Sequence, residues 1–267
     1  TKEQMDGVPH HLIDIMDPSD SFHVMAFQQK CKEAMEDIYA RHKIPILVGG
    51  TGFYIQSVLY DISFTETDTD IEYRQELQKI AEEQGGYVLH ARLAKIDPEA
   101  ADEIHPNNVK RVIRALEFNH QTGEKISIHN EQERQKKSPY QFRYYVLSLP
   151  REILYDRINR RVDMMRRDGL VDEVKGLLQQ GITPNMVSMQ GLGYKEIIDA
   201  LQGSCSFEEA FERIKRETRH FAKRQFTWFR RERDVTWIDK ETYENEDAIL
   251  QYMIEDLKNA HILPADQ

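Results

Sequence analysis

Five stretches of this 267-residue chain carry side chains whose types and spacing could do chemistry. The first is Gly49-Gly50-Thr51-Gly52, where glycines let a backbone approach a ligand and a threonine hydroxyl donates or accepts a hydrogen bond. Taken alone, the run is more simply a strand-to-helix turn that needs glycine for its geometry. It is not a P-loop, because no Gly-Lys-Ser/Thr follows at the required distance, here or elsewhere in the chain. The second is His105-Pro106-Asn107-Asn108 with Lys110, Arg111 and Arg114. Pro and Asn make a turn and a helix start, and three cations placed there oppose the helix dipole, which points to an anion such as phosphate. A solvated helix face explains the spacing equally well. The third is Arg157, Arg160 and Arg161. Arg157 and Arg161 share a helix face and could grip a diphosphate at two points, or the cluster could pair with Asp156 and Asp163. The fourth, Arg219 to Arg230, interleaves Arg219, Lys223, Arg224, Gln225, Thr227 and Arg230 with Phe221, Phe226, Trp228 and Phe229. Cations among aromatics suit a nucleic-acid backbone with a stacked base, although the aromatics could equally be core. The fifth is Gln190-Gly191-Leu192-Gly193-Tyr194-Lys195, a glycine-punctuated turn whose backbone N–H groups could meet a phosphate or a base edge. His10-His11 lacks a carboxylate or cysteine at zinc spacing and reads as structural.

These residues need elements to position them. Apolar residues recur at helical intervals from Phe27 to His42, and the basic end Arg41-His42-Lys43 suits a helix C-terminus. Ile44-Pro45-Ile46-Leu47-Val48 reads as a strand, the glycines as its turn, and the segment from Phe53 as the next helix. That order is the grammar of an α/β sheet, with ligands at the carboxyl ends of its strands. From Thr65 to about Lys137 the texture turns charged and helical, with helices over Glu72–Glu83, Gly86–Lys95 and Val109–Asn119. A strand over Arg143–Leu149 follows. Helices are then expected over Ile153–Arg167, Val171–Gln179, Tyr194–Leu201 and Phe207–Arg231, then a strand over Val235–Ile238 and a last helix over Glu246–Asn259.

Composition bounds the rest. With 40% hydrophobic and 31% charged residues the chain can bury a core of one or two domains. No apolar run reaches the roughly 20 residues of a membrane span, and Thr1 to Asp6 lack the character of a signal peptide. Cys31 and Cys205, far apart and outside any CxxC, point to a reducing compartment, so the cytoplasm is the expected location. A net charge of −10 speaks mildly against nucleic acid, but between Arg213 and Arg233 nine Lys or Arg face only Glu217 and Glu232. A local basic surface can serve a polyanion on an acidic protein.

In this order the blocks resemble the bacterial tRNA dimethylallyltransferase family. The matching stretches are Asp6 to Asp14, Leu47 to Tyr54, His105 to Asn108 with Arg111 to Glu117, Arg157 to Asp163, Gln190 to Glu196, and Ala222 to Arg230. The resemblance implies an α/β fold: a P-loop NTPase-like parallel sheet core over 1–65 and 138–267, with an inserted helical domain over 66–137 that contacts tRNA. It implies transfer of a dimethylallyl group from dimethylallyl diphosphate, with Mg²⁺, to N6 of adenine 37 in the anticodon stem-loop of tRNAs reading codons that begin with U. The adenine is flipped out of the loop, the general way enzymes reach a base atom. Carried over, Thr51 and Arg74 look like positions at the reaction centre. Lys110, Arg111, Arg114, Gln190, Gly191, Leu192, Gly193, Tyr194, Lys195, Lys223, Arg224, Gln225, Thr227, Trp228 and Arg230 look like the tRNA-contacting set. Arg161 and Arg219 are the expected diphosphate contacts. The family's Walker-type loop, and an Asp-Ser-x-Gln-x-Tyr segment whose Asp acts as general base, are expected upstream of Thr1. No protein metal site and a monomer are expected.

Three other readings compete. An adenylate isopentenyltransferase uses the same chemistry on free nucleotide but needs no basic surface such as Arg213 to Arg233. A non-catalytic RNA-binding module leaves Gly49 to Thr51 without a purpose. A P-loop small-molecule kinase gives none to Ala222 to Arg230.

Overall fold

The structure is a computed structural model that describes residues 3–20, 22–64 and 70–264. Twelve α-helices and two strands follow in order along the described chain. They are α1 (Val24–Ala40), α2 (Gly52–Leu59), α3 (Ile71–Gln84), α4 (Gly86–Ile96), α5 (Pro98–Glu103), α6 (Val109–Thr122), α7 (Ile126–Gln135), β1 (Tyr144–Ser148), α8 (Arg151–Arg167), α9 (Leu170–Gln179), α10 (Tyr194–Leu201), α11 (Phe207–Phe229), β2 (Val235–Asp239) and α12 (Glu246–Asn259). Contacts divide the chain into two units, one of Thr1–Ile55 with Tyr140–Gln267, the other of Gln56–Pro139. The boundary at 65/66 expected from the sequence, and the chain ends at 1 and 267, lie outside the described residues.

In the first unit β1 and β2 pair in parallel, Tyr144 opposite Val235 through Ser148 opposite Asp239. Parallel neighbours require a long crossover, and α8 to α11 supply it. Val162, Leu170, Val174, Met189, Ile197, Phe211 and Ile214 form the core of that crossover. Ser206 starts α11: its hydroxyl accepts from the Glu209 amide while the Glu209 carboxylate accepts from the Ser206 amide, so two otherwise orphan donors are satisfied. Helix α12 is tied back to β1 by Asp256, which accepts from Arg143 at 3.0 Å and from the Tyr145 hydroxyl at 2.6 Å.

One expected strand is not there. Residues 44–48 run without regular structure, and Ile46 and Val48 stand 82% and 86% exposed. A β-branched run fits a pleated, half-buried surface and needs a neighbouring strand to become one; among the described residues none lies beside it. Pro45 also withholds one ladder donor.

The second unit is helical. Leu77 of α3, Leu89 and Leu93 of α4, and Val112, Ile113 and Leu116 of α6 form its core. Asp70 caps α3, accepting from the Tyr73 amide at 2.9 Å. Asp97 caps α5 through the Ala100 amide and takes two further bonds from Ser127, joining α5 to α7. Burial pushes the Asp97 carboxyl up, but those bonds outweigh it and hold it below its ordinary value. Neither α5 nor α7 was expected from the sequence.

Candidate functional site

Helix α2 begins at the glycine run. The Thr51 carbonyl accepts from the amides of Tyr54 and Ile55, so Thr51 is the residue from which the helix departs, and its side chain is exposed. The turn is held from behind by α11. Gln225 Nε2 donates to the Gly50 carbonyl at 2.8 Å. The Trp228 indole lies so close to Gly52 that a Cβ there would sit 2.1 Å from its ring. Phe53 meets the same indole edge-on at 6.2 Å between ring centres, and Tyr54 packs on Phe27 of α1 at 4.8 Å. Gly52 is therefore needed for a close approach rather than for an unusual backbone angle.

Phe226 and Phe229 of α11 face inward, whereas Phe221 is exposed. Phe226 stacks on Trp237 of β2, and Phe229 meets Tyr144 of β1 edge-on. Lys223, Arg224, Thr227 and Arg230 are exposed, with the Arg224 guanidinium over the Phe221 ring. The helix is thus two-faced. Of the aromatics read from the sequence as a stacking platform, Phe226 and Phe229 serve packing, and Trp228 buttresses the glycine turn. A cavity opens at the carboxyl ends of β1 and β2, lined by Ser148, Leu149, Leu154, Gln225, Phe226 and Lys240 among others. That is where open α/β sheets hold ligands.

The loop before α10 corrects its expectation in part. Gly193 adopts φ +105°, which glycine alone tolerates easily. Its N–H donates to Glu196 Oε2 at 2.8 Å, and the amides of Tyr194 and Lys195 turn back to the Gly191 carbonyl. Those three N–H groups are occupied, so they do not form the anion cradle that the spacing suggested. Gln190 donates to the Pro184 carbonyl, Leu192 is half-buried, and Gln190, Gly191 and Lys195 are exposed. Burial, with a hydrogen bond to Glu173, pushes the Tyr194 hydroxyl up to about 12.

Of the arginines on α8, Arg160 pairs with Asp156 within its own helix, as salt bridging required. Arg157 lines a polar recess with Lys240, Tyr243, Asn245 and Glu246. Arg219 of α11 donates to Asn159 at 2.6 Å and sits 6.0 Å over the Tyr155 ring. Arg161 is exposed and two residues from Asn159, so at 3.6 residues per turn it points away from the α11 side. The structure does not bring Arg161 and Arg219 together.

In the second unit Lys110, Arg111 and Arg114 are exposed on α6, and the Asn108 side chain makes no capping bond there. Arg74 of α3 forms a bidentate pair with Glu117 of α6, Nε to Oε1 at 2.5 Å and Nη2 to Oε2 at 2.7 Å. That hydrogen bonding raises the already high Arg74 pKa. Glu117, 1% exposed, was not singled out from the sequence; an acid inside an otherwise apolar helix stretch was the available signal.

The model of the family described as IPP transferase matches residues 1–232. The chain belongs to the IPP transferase family. It is 52% identical over 263 residues, 98% of this chain and 84% of the relative, to a tRNA dimethylallyltransferase of Lachnoclostridium phytofermentans. It is 48% identical over 253 residues, 95% of this chain and 79% of the relative, to one of Bacillus cereus. Among solved structures it resembles the full-length tRNA isopentenylpyrophosphate transferase of Bacillus halodurans, with 43% identity, TM-score 0.68, and 98% and 82% of the two chains covered. It also resembles a eukaryotic dimethylallyltransferase acting on tRNA, with 29% identity, TM-score 0.76, and 99% and 69% covered. Family membership makes the chain a prenyltransferase. The described residues of this chain form a helix-rich architecture with a small parallel sheet.

Proposed function

We propose that the protein is a tRNA dimethylallyltransferase that moves a dimethylallyl group from dimethylallyl diphosphate to N6 of adenine 37 in tRNAs reading codons that begin with U. The observation that carries this is the Gly49–Gly52 turn: an exposed Thr51 is presented at the start of α2 and is buttressed by a helix whose other face is cationic. Such a pairing of a close-approach turn with a basic surface suits a flipped base whose backbone must also be held. Lys110, Arg111 and Arg114 extend the basic set in the helical unit, and Lys223, Arg224, Thr227 and Arg230 in the other.

In the reaction the N6 nitrogen bonds to the allylic carbon as that carbon's bond to oxygen breaks. Diphosphate leaves with the bonding pair, and N6 gives up one proton to a general base. The base is the Asp that the family carries upstream of the matched blocks. Thr51 is placed to orient the adenine amine. Arg219 is assigned to the charge that accumulates on the departing diphosphate and Arg74 to the reaction centre, because neutralising developing charge and fixing geometry are the main levers for such a transfer. Arg161, which points away from the α11 side, is not joined to Arg219 in that role.

Among the described residues no group of three or more His, Cys, Asp or Glu could hold a metal ion. Mg²⁺ is proposed on the family resemblance; when bound it would help neutralise the charge of the diphosphate, and no step is routed through it. The core is proposed to be a P-loop NTPase-like sheet over 1–65 and 138–267, continuing beside 44–48, with the helical domain over 66–137 inserted in it. The described helices include none long and apolar enough to cross a membrane; a monomer acting in the cytoplasm is proposed.

The test is incubation with dimethylallyl diphosphate, Mg²⁺ and an unmodified tRNA carrying adenines at 36, 37 and 38, followed by nucleoside mass analysis. The 267-residue stretch is compared with a version extended upstream through the phosphate-binding loop and the Asp. N6-dimethylallyladenosine from the extended version, with little from the shorter one, is expected. Product from neither, with free AMP also unmodified, overturns prenyl transfer in favour of RNA binding alone. Product on AMP but not tRNA moves the assignment to an adenylate isopentenyltransferase.

A further inference from the structure

Glu117 is chemically out of place. Its neighbours Val112, Ile113, Ala115, Leu116 and Phe118 are buried, and Glu117 is buried with them at 1% exposure. A carboxylate in such a position is costly unless paired, and an apolar residue of similar volume generally serves stability as well or better. Its bidentate partner is not similarly buried: the Arg74 side chain remains 45% exposed. Nε and Nη2 of that guanidinium are taken by Glu117. Nη1 makes no hydrogen bond among the described residues, so its two N–H groups remain available on this part-exposed side chain. On α6, Lys110 and Arg114 lie seven and three residues before Glu117, hence on the same stripe. Both are exposed and form no ion pair among the described residues, unlike Arg134, which pairs with Glu103 and Glu131. The stripe thus offers three cations, of which the structure clamps one.

We propose that Glu117 is a positioning residue: it locks the Arg74 guanidinium by its inner edge so that the outer edge is presented to a phosphate-type anion, a tRNA phosphodiester or the leaving diphosphate. A flexible arginine would lose side-chain entropy on meeting that anion, whereas a fork held at two nitrogens has already lost it. The inference rests on the prenyl-transfer reading above, because it presumes a phosphate-bearing substrate.

The experiment uses the upstream-extended protein. Glu117→Gln keeps the shape but sets an amide donor against guanidinium donors, which misdirects Arg74. A fall of about 10²-fold in kcat/KM is expected, the scale of a 1 Å misplacement, with the circular-dichroism spectrum and the melting temperature little changed. A rise in KM for tRNA at constant kcat assigns the tRNA backbone as the anion. A fall in kcat at constant KM assigns the leaving diphosphate. Arg74→Gln combined with Glu117→Gln should be no worse than Arg74→Gln alone, since both act through one guanidinium. Arg74→Lys, on the exposed side of the pair, keeps the charge and loses the fork; it should show the same loss if Glu117→Gln folds poorly. Wild-type kinetics in Glu117→Gln, a lowered melting temperature alone, or additive losses in the double variant would each overturn the inference. Inactivity of the parent protein would instead overturn the prenyl-transfer reading, and this inference with it.

Discussion

Thr51 and Arg74 are held by opposite means. Thr51 rides on a turn fixed by shape and one neutral hydrogen bond: Trp228 against Gly52, and Gln225 on the Gly50 carbonyl. Arg74 is fixed by charge, through a buried carboxylate that grips it at two points. A neutral clamp suits a group that must meet an uncharged base, since it adds no field of its own. A charged clamp suits a group that must meet an anion, because the carboxylate holds the permanently ionised guanidinium in one orientation while nearly half of the side chain stays in water. The two should therefore break differently: the first by steric change, the second by loss of charge or geometry.

The largest effect is expected from Gly52→Val. A side chain there meets the indole at 2.1 Å, and the turn cannot yield without releasing Trp228. Overpacking of this kind costs about 1–3 kcal/mol, read as a fall in melting temperature, and prenyl transfer should drop below detection because Thr51 is displaced. Wild-type activity in that variant would show that the turn does not position the reaction. Trp228→Ala should restore part of the lost stability in the double variant by opening room, a pairing with no counterpart at Arg74.

Gln225→Glu probes the neutral clamp by adding a charge. An ionised carboxylate opposite the Gly50 carbonyl sets acceptor against acceptor, whereas the protonated acid donates the bond that Gln225 Nε2 now makes. Facing a carbonyl in a half-buried site raises the new carboxyl above its usual value of about 4.3. Its stabilising bond is then present at low pH and lost as pH rises through that raised value. The variant should be less stable than wild type at neutral pH by about 1–3 kcal/mol, the cost of an unsatisfied buried group, and should recover on acidification. Melting curves across pH check this, and a deficit that does not depend on pH would mean that the Gly50 bond is not the cause.

How much of this was legible in the chain follows from the range of each interaction. Helical periodicity is local, and α10 and α12 were read to their ends, because their apolar stripes repeat every three or four residues. Helix α5 is six residues long and relies on the Asp97 cap, too short for any period to show. Helix α7 buries no residue, so it has no stripe to read. The run 44–48 has the composition of a strand but, among the described residues, no neighbouring strand that would make it one. The cation clusters were visible as residue types. The clamps were not, because Gln225 reaches across 175 residues to Gly50 and Arg74 across 43 to Glu117. No pattern within a window of a few turns records such contacts.

The smallest effect separates cations that are free from cations that are paired. Lys110→Ala and Arg114→Ala should weaken tRNA binding only a few-fold each. If each side chain meets a phosphate, each variant should also lower the slope of log affinity against log salt by about one. Arg134→Ala removes the same charge from the same unit, but Arg134 is already engaged by Glu103 and Glu131. It should leave the slope nearly unchanged, because counterions are released by phosphates that a side chain neutralises and not by the protein's net charge. Equal slopes for all three variants would mean that the helical unit acts through its overall field. Different slopes would mean that the α6 stripe, with the clamped Arg74 at its end, is the surface that touches the backbone.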